Sequence, residues 1–289
     1  MPQISNGVAK VDKLLYKQAK TFYDKVAKLL ITIGLSCNVF AGSYDQVGLY
    51  EMDRICASTG GLVVMCDSFT TSMFRQSVIK FFQKENEDPD GFLDMGLNST
   101  LECRTTSDLQ IQGLVGNAAA LPMRKDKFVE ASVAPQVIGE GNTNAWKLCS
   151  VNPQSTYSIY FEKLDSAQVG HAFIQFSFHY QHPGGELRLR ITTLPLAVIE
   201  DSDAHNLEAG FDQEAALVAI ARSTVEKLRS DGVSAKTSSY DESDLTKHLD
   251  KLLVDYCGRF SQYRKGDLSL FRLSNSFAML PQFMYHLRR

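Results

Sequence analysis

The sequence predicts a multidomain α+β chain: the C-terminal part of an α/β unit, then an antiparallel β-sandwich, then an all-helical unit. Three observations carry this. Helical and short apolar strand patterns alternate over the first hundred residues, short alternating strands follow, and from about Asn206 the periodicity is helical throughout. The boundaries so read are 1–97, 98–204 and 205–289. A chain of 289 residues, 44% hydrophobic and 22% charged, has ordinary globular composition and length enough for two or three such units.

In the first unit Val8, Val11, Leu14, Leu15, Phe22, Val26, Leu29 and Ile33 recur at three- and four-residue steps. Lys10, Lys13, Lys17, Lys20 and Lys28 fill much of the other face. That pattern predicts an amphipathic helix of about six turns. A strand is expected over Leu35–Phe40, a helix over Asp45–Cys56, a turn at Thr59-Gly60-Gly61, and a strand over Leu62–Met65. A further helix over Ser68–Phe82 should turn Met73, Phe74, Ser77, Val78 and Phe81 inward. Helices alternating with apolar strands imply a parallel sheet covered by helices. With two or three strands visible, the sheet is expected to have begun before Met1. The polar stretch Lys84–Gly91 reads as a surface loop.

In the second unit Leu101–Arg104, Leu109–Val115, Thr156–Leu164, His171–Tyr180 and Leu187–Leu194 are strand-like. Gln181–Glu186, with adjacent Gly184 and Gly185, signals a hairpin turn. Five or more short strands without helices imply a sandwich, and Pro122–Glu140 is expected to be an exposed loop between them. In the third unit Phe211, Ala215, Val218, Ala219, Val225 and Leu228 mark one helix. A charged, serine-rich loop over Ser230–Glu242 follows. Leu245, Leu249, Leu252, Leu253, Tyr256 and Phe260 mark the next helix, and Phe277–Arg289 begins another.

Composition excludes several functions. A net charge of -3, from 30 basic and 33 acidic residues, is not that of a dedicated nucleic-acid binder. No run of about 18 apolar residues spans a bilayer and no signal peptide opens the chain, so a cytosolic protein is expected. The sequon Asn98-Ser99-Thr100 would be silent there. Cys37, Cys56, Cys66, Cys103, Cys149 and Cys257 are scattered singly, as buried thiols of a reducing compartment are.

No catalytic constellation emerges. Gly139-Glu140-Gly141-Asn142-Thr143-Asn144 half-resembles a dinucleotide loop but lacks the third glycine and the helix that would hold a pyrophosphate, so it reads as a turn. Asp67-Ser68-Phe69 follows a sheet strand where a metal-binding carboxylate could project. An adhesion-type site needs serine where Phe69 stands, and Asp67 or Ser68 is better read as a helix cap. His179 and His182 run from a strand into a turn, with no cysteine or carboxylate partner nearby in sequence, so zinc is not expected. Asp201 and Asp203 look solvated, and Arg288 and Arg289 look like an exposed helix end. Arg188 and Arg190 share one face of a strand opposite Leu187 and Leu189, a candidate contact for lipid headgroups or an acidic partner.

Several strings carry a family resemblance. Gly210-Phe211-Asp212-Gln213-Glu214-Ala215-Ala216 and Pro281-Gln282-Phe283-Met284-Tyr285-His286-Leu287-Arg288-Arg289 resemble the Sec-twenty-three family, the GTPase-activating inner-shell subunit of the COPII vesicle coat. Asp45–Leu49, Asp67–Phe69, Tyr160–Glu162, Tyr180–His182, Arg190–Thr193 and Phe271–Leu273 agree in order and spacing. The resemblance covers essentially the whole chain. It implies the end of a von Willebrand A-like trunk, most of a β-sandwich and most of a helical domain. It also implies binding to the coat's small Ras-like GTPase, pairing with the cargo-adaptor subunit through the trunk, contact with the outer coat, and peripheral attachment to the endoplasmic reticulum membrane and COPII vesicles. Asp67, Ser68, Phe69, Arg188 and Arg190 are the candidate partner- or membrane-facing residues. The activating arginine is implied to lie beyond Arg289, so the chain itself is expected to be no enzyme. The family's zinc finger has no counterpart, so no cofactor is expected. Leu187, Cys66 and Leu194-Pro195-Leu196 depart from the family pattern. The alternatives are the related cargo-adaptor subunit, which binds sorting signals, and a hydrolase built on the α/β half.

Overall fold

The structure, a computed structural model, describes residues 9–88, 90–200, 202–233, 242–264 and 266–289. The chain divides into two compact units, Met1–Glu162 with Phe173–Leu194, and Lys163–Ala172 with Pro195–Arg289.

The first unit opens with helix α1 (Ala9–Ile33) and continues through strand β1 (Val39–Gly42), α2 (Leu49–Ser58), β2 (Val63–Cys66) and α3 (Ser72–Phe81). Gly34 stops α1 in the left-handed region at φ +74, and the Leu35 N–H returns to the Leu30 carbonyl at 3.0 Å, a glycine-terminated helix end. β1 and β2 pair in parallel, from Val39↔Val63 to Gly42↔Cys66. β1 begins four residues later than the sequence predicts. The segment before it is held otherwise: Leu35 by the end of α1, and the Cys37 N–H by the Thr59 hydroxyl at 3.1 Å.

α1 is amphipathic as expected, but its apolar stripe is not the face it buries. Tyr16 stacks on Tyr50 of α2 at 5.5 Å, the Lys20 ammonium sits 4.9 Å above the Tyr50 ring, and Ala27 is buried. Leu14, Leu15, Phe22, Leu29 and Ile33 remain exposed, Phe22 at 60%.

The sandwich follows. β3 (Gly96–Thr105), β5 (Ala119–Ala120), β6 (Ala145–Val151), β8 (Gly170–Gln181) and β9 (Leu187–Val198) form a five-stranded sheet in the order β5-β6-β3-β8-β9. β4 (Leu109–Val115) and β7 (Ser158–Lys163) form a second sheet of two strands. Ile111, Leu114, Trp146, Leu148 and Cys103 fill the core, with Trp146 0% exposed. β6 escapes sequence reading because both its faces are covered and its alternation is broken at Cys149, which sits at φ +53 opposite Ser99 in a bulge.

The expected exposed loop over Pro122–Glu140 is instead stitched to β4. Ile111 and Ser132, Ala134 and Ile111, Ile138 and Gln112, and Leu114 and Glu140 are joined by backbone hydrogen bonds of 2.7–3.2 Å. The segment carries a short helix, α4 (Lys127–Ala131), and its Ala134 is buried.

The second unit contains α5 (Ala204–Gly210), α6 (Gln213–Val233), α7 (Glu242–Phe260), α8 (Asn275–Ala278) and α9 (Leu280–Arg288). It is not wholly helical: β10 (Gln262–Arg264) and β11 (Asp267–Arg272) pair as an antiparallel hairpin turning at Gly266, φ +92. The alternation Leu268-Ser269-Leu270 suits a strand better than a helix. Leu249, Leu280 and Met284 form the core, with Phe211, Leu217, Ile220, Leu253, Tyr256 and Leu287 packed against it. On α6 the buried stripe is therefore Leu217, Ile220 and Thr224 rather than the expected Val218 and Val225, both of which are exposed. Most of the expected loop over Ser230–Glu242 lies outside the described residues.

Candidate interaction surfaces

Asp67, Ser68 and Phe69 form the corner between β2 and α3. The expected cap is displaced: the side chain that accepts the α3 N-terminal hydrogen bond is Thr71, from the Phe74 N–H at 3.3 Å. The Ser68 hydroxyl pairs with the Thr70 hydroxyl at 2.9 Å and accepts from the Thr70 N–H. Asp67 is left exposed at the corner. Phe69 lies against Phe74, ring centres 5.0 Å apart, and is 56% exposed. Met73, expected inward, faces a groove instead.

That groove, of about 460 Å3, runs beside β2 and is lined by Val63, Met65, Met73, Phe81, Lys80 and Asp94 among others. The carbonyls of Leu62 and Cys66 accept from Val39 and Ser43 on the β1 side, so the alternate Val63 and Met65 backbone groups face away from β1, toward the open edge.

Arg188 and Arg190 project from β9, the last strand in the order of the five-stranded sheet. The Arg188 guanidinium donates to the Glu186 carboxylate from Nε at 3.2 Å and Nη2 at 3.0 Å, and Glu186 and then Tyr180 raise its pKa. Arg190 is exposed on the same face. The opposite face is also uncovered, with Leu187 85% exposed and Leu189 and Ile191 more than half exposed. No hydrogen bond, ion pair or ring contact joins these arginines to the Asp67–Phe69 corner among the described residues.

Two sites were not read from the sequence. His182 is 5% exposed and meets Glu85, whose Oε1 lies 2.7 Å from its Nε2; the carboxylate partner absent from its neighbourhood in sequence is supplied from far along the chain. The Gly184 N–H donates to Nδ1 at 3.1 Å, so Nε2 carries the proton and donates it to Glu85. Phe92 covers the ring edge-on at 5.5 Å. The partners are 97 residues apart, so spacing could not suggest the pair.

The Thr59-Gly60-Gly61 turn is where the sequence places it, but the contact it makes is the second feature the sequence does not show. The Thr59 hydroxyl donates to the Ile55 carbonyl at 2.7 Å while accepting from Cys37. Gly60 lies at φ +66, and a Cβ there would meet the β6 carbonyl oxygens of Leu148 and Ser150 at 2.2 and 2.3 Å. The turn is a joint between the α/β part and the sandwich, and only glycine lets the two backbones approach so closely.

The half-matched glycine loop does structural work. The Glu140 carbonyl accepts from the Trp146 indole N–H at 2.7 Å, and its carboxylate accepts from the Ala120 N–H at 3.2 Å. A Cβ on Gly139 would meet the Leu114 carbonyl at 2.4 Å, so the glycine serves close packing on β4.

In the second unit the two family-like strings pack on one core, Phe211 and Ala216 from the first and Met284 and Leu287 from the second. Asp212 accepts from the N–H groups of Glu214 and Ala215, both at 3.0 Å, capping α6. Gln213 Oε1 accepts from the Met279 N–H at 2.9 Å, and Phe211 packs on Phe277 at 5.1 Å. Arg288 makes a forked pair with Asp250, Nε to Oδ1 at 2.6 Å and Nη2 to Oδ2 at 3.0 Å.

Among the described residues no group of three histidine, cysteine or acidic side chains could hold a metal ion, and no helix is long and apolar enough to cross a membrane. What the geometry defines is a modular scaffold with open apolar edges.

Its modules have known counterparts. Family models describe residues 3–82 as a Sec23/Sec24 trunk domain, 96–199 as a Sec23/Sec24 beta-sandwich domain and 212–289 as a Sec23/Sec24 helical domain. The chain belongs to the Sec23/Sec24 family of COPII coat proteins. It is similar in fold to the crystal structure of the human COPII-coat protein Sec24c, with a TM-score of 0.65 and 17% sequence identity, over 92% of this chain and 30% of that one.

Proposed function

We propose that this chain acts by binding, as an inner-shell component of the COPII coat of the GTPase-activating kind. One observation carries the coat reading: trunk, sandwich and helical domains follow one another with short gaps, between residues 82 and 96 and between 199 and 212. The exposed apolar rows of α1, β2 and β9 support a protein that works through partners, since exposed apolar patches of this kind mark interaction sites. The resemblance of Gly210–Ala216 and Pro281–Arg289 to the GTPase-activating subunit favours that subunit's role. Its partners would be the coat's small Ras-like GTPase, the cargo-adaptor subunit and the outer coat, at the cytosolic face of the endoplasmic reticulum membrane. A second reading, a cargo adaptor that binds sorting signals, draws on the fold likeness to Sec24c.

The test is binding of the folded chain to the coat GTPase loaded with a non-hydrolysable GTP analogue or with GDP, beside binding to sorting-signal peptides. Preference for the GTP form supports the GTPase-activating reading. Peptide binding without GTPase binding would move the assignment to the cargo adaptor, and absence of both from a folded chain would refute the coat role.

A further inference from the structure

Cys37 and Cys56 stand 19 positions apart in sequence, but the fold sets them side by side. The Cys37 N–H is held by Thr59, whose own hydroxyl is anchored to the last turn of α2 at Ile55, next to Cys56. The Thr59 and Gly61 N–H groups both return to the Cys56 carbonyl, at 3.2 and 2.9 Å. At Gly61 one point in space, where a Cβ would stand, is 1.8 Å from the Cys37 carbonyl oxygen and 3.3 Å from the Cys56 Cα. Cys37 lies near enough to the Cys56 thiol to raise its pKa further, after burial. Cys56 is buried and Cys37 half-buried, so Cys37 is the more accessible residue of the two.

We propose that Cys37 and Cys56 are a peroxide-responsive thiol pair that closes to a disulfide. The Cys37 thiolate attacks hydrogen peroxide, the O–O bond breaks, and hydroxide leaves to take a proton from solvent, giving a sulfenic acid at Cys37. The Cys56 sulfur then attacks that sulfur; the S–O bond breaks and water leaves with the Cys56 proton. Two thiols are oxidised, one peroxide is reduced, and two waters form. Burial, and then the neighbouring Cys37, push the Cys56 thiol up to about 11, so in the reduced state it rests as the protonated, resolving partner. A transient disulfide of this sort suits a reducing compartment, where persistent structural disulfides are rare. The bond would fasten the segment after α1 to the end of α2, at the joint where Gly60 meets β6.

The experiment uses the full chain, reduced and then exposed to hydrogen peroxide under native conditions, followed by alkylation in denaturant. The free-thiol count should fall from six to four. Trypsin cuts after Lys28, Arg54 and Arg75, so Cys37 and Cys56 leave on different peptides. A linked pair should appear, with fragment ions separating Cys56 from Cys66 on the second peptide. Six thiols surviving, or Cys37 linked to Cys66 or to another chain, would overturn the proposal. As a second readout, the reduced protein should bind one equivalent of phenylarsine oxide, which bridges two adjacent thiols. Cys37→Ser and Cys56→Ser, each shown to be folded by circular dichroism, should both abolish that binding; retention in either also overturns the pair.

Discussion

β6 and β9 are both strands of the same sheet, and they behave in opposite ways. β6 was invisible in the sequence because Ala145-Trp146-Lys147-Leu148-Cys149-Ser150-Val151 does not alternate, yet it is the better covered of the two. β9 alternates cleanly, with Arg188 and Arg190 on one face and Leu187, Leu189 and Ile191 on the other, yet neither face is covered. Alternation reports that a strand has two unlike faces; it does not report whether anything lies against them. The lesson for function is that β6 holds the fold, while β9 is available to a partner.

The comparison can be broken most directly at Trp146. Trp146→Ala removes a fully buried indole and one of the two hydrogen bonds to the Glu140 carbonyl, which keeps the Leu114 N–H. A loss of about 3–5 kcal/mol is expected in denaturant unfolding. Leu189→Ser on β9 should change stability by less than about 0.5 kcal/mol. Similar losses at the two positions would show that β9 is covered in solution.

The joint at Gly60 should come next. Gly60→Ala places a methyl group 2.2 Å from the Leu148 carbonyl at a residue held at φ +66, so both packing and backbone must yield. A loss of about 2–3 kcal/mol is expected. The sequence marked this position only as a turn. A glycine pair signals conformational freedom, and nothing in the spacing reveals that a strand ninety residues later presses on it.

His182 tests the same kind of long-range contact. His182→Ala should cost about 1–3 kcal/mol, by opening a cavity under Phe92 and leaving Glu85 without its donor. Glu85→Gln keeps an acceptor for the Nε2–H and should cost less than half as much. Equal losses would mean that the charge of the Glu85 carboxylate, and not only its acceptor oxygen, holds the ring.

What the sequence made legible follows from the range of the forces involved. Helices α1, α2, α3 and α7 were read from local periodicity, and the Gln181–Glu186 turn from its adjacent glycines, because these signals lie within a dozen residues. The Thr71 cap was misplaced by three or four positions, since Asp67, Ser68 and Thr71 are all plausible cap chemistry and only backbone geometry chooses. The stripe on α6 was misphased because alanines and valines lie on both sides of it, so composition could not orient the helix. Of the candidate surface residues, Asp67, Phe69, Arg188 and Arg190 are exposed in the structure, and Ser68 is half-buried. The Cys37–Cys56 and Glu85–His182 contacts had no sequence signal, as each depends on segments brought together only by the fold.

Alkaline pH sharpens the picture of the buried core. Burial pushes the Cys103 thiol up from 9.0 to about 12, so the folded state holds that proton longer than the unfolded chain does. Unfolding therefore releases a proton between these values, and stability should be full below pH 9 and decline as pH rises toward 12. In Cys103→Ala the decline, followed by denaturant midpoints across that range, should be shallower. An unchanged slope would assign the alkaline loss to other groups.

The smallest effect is expected at the forked pair of Arg288 and Asp250, in the string that carries much of the family resemblance. Its distances are those of a strong charge-assisted bond, yet both side chains are nearly half exposed, at 48% and 46%. Solvent screens such a pair and its geometry restricts two otherwise mobile side chains, so Asp250→Asn should lower stability only slightly, and less at high salt. The helical unit is held far more by Leu249, Leu280 and Met284 beneath the pair. If Asp250→Asn weakens GTPase or coat-partner binding well beyond its effect on stability, the arginine's value lies in presenting a charged surface, and the α7–α9 face joins β9 as a binding surface. If both change together by a small amount, the pair is an ordinary clasp between two helices.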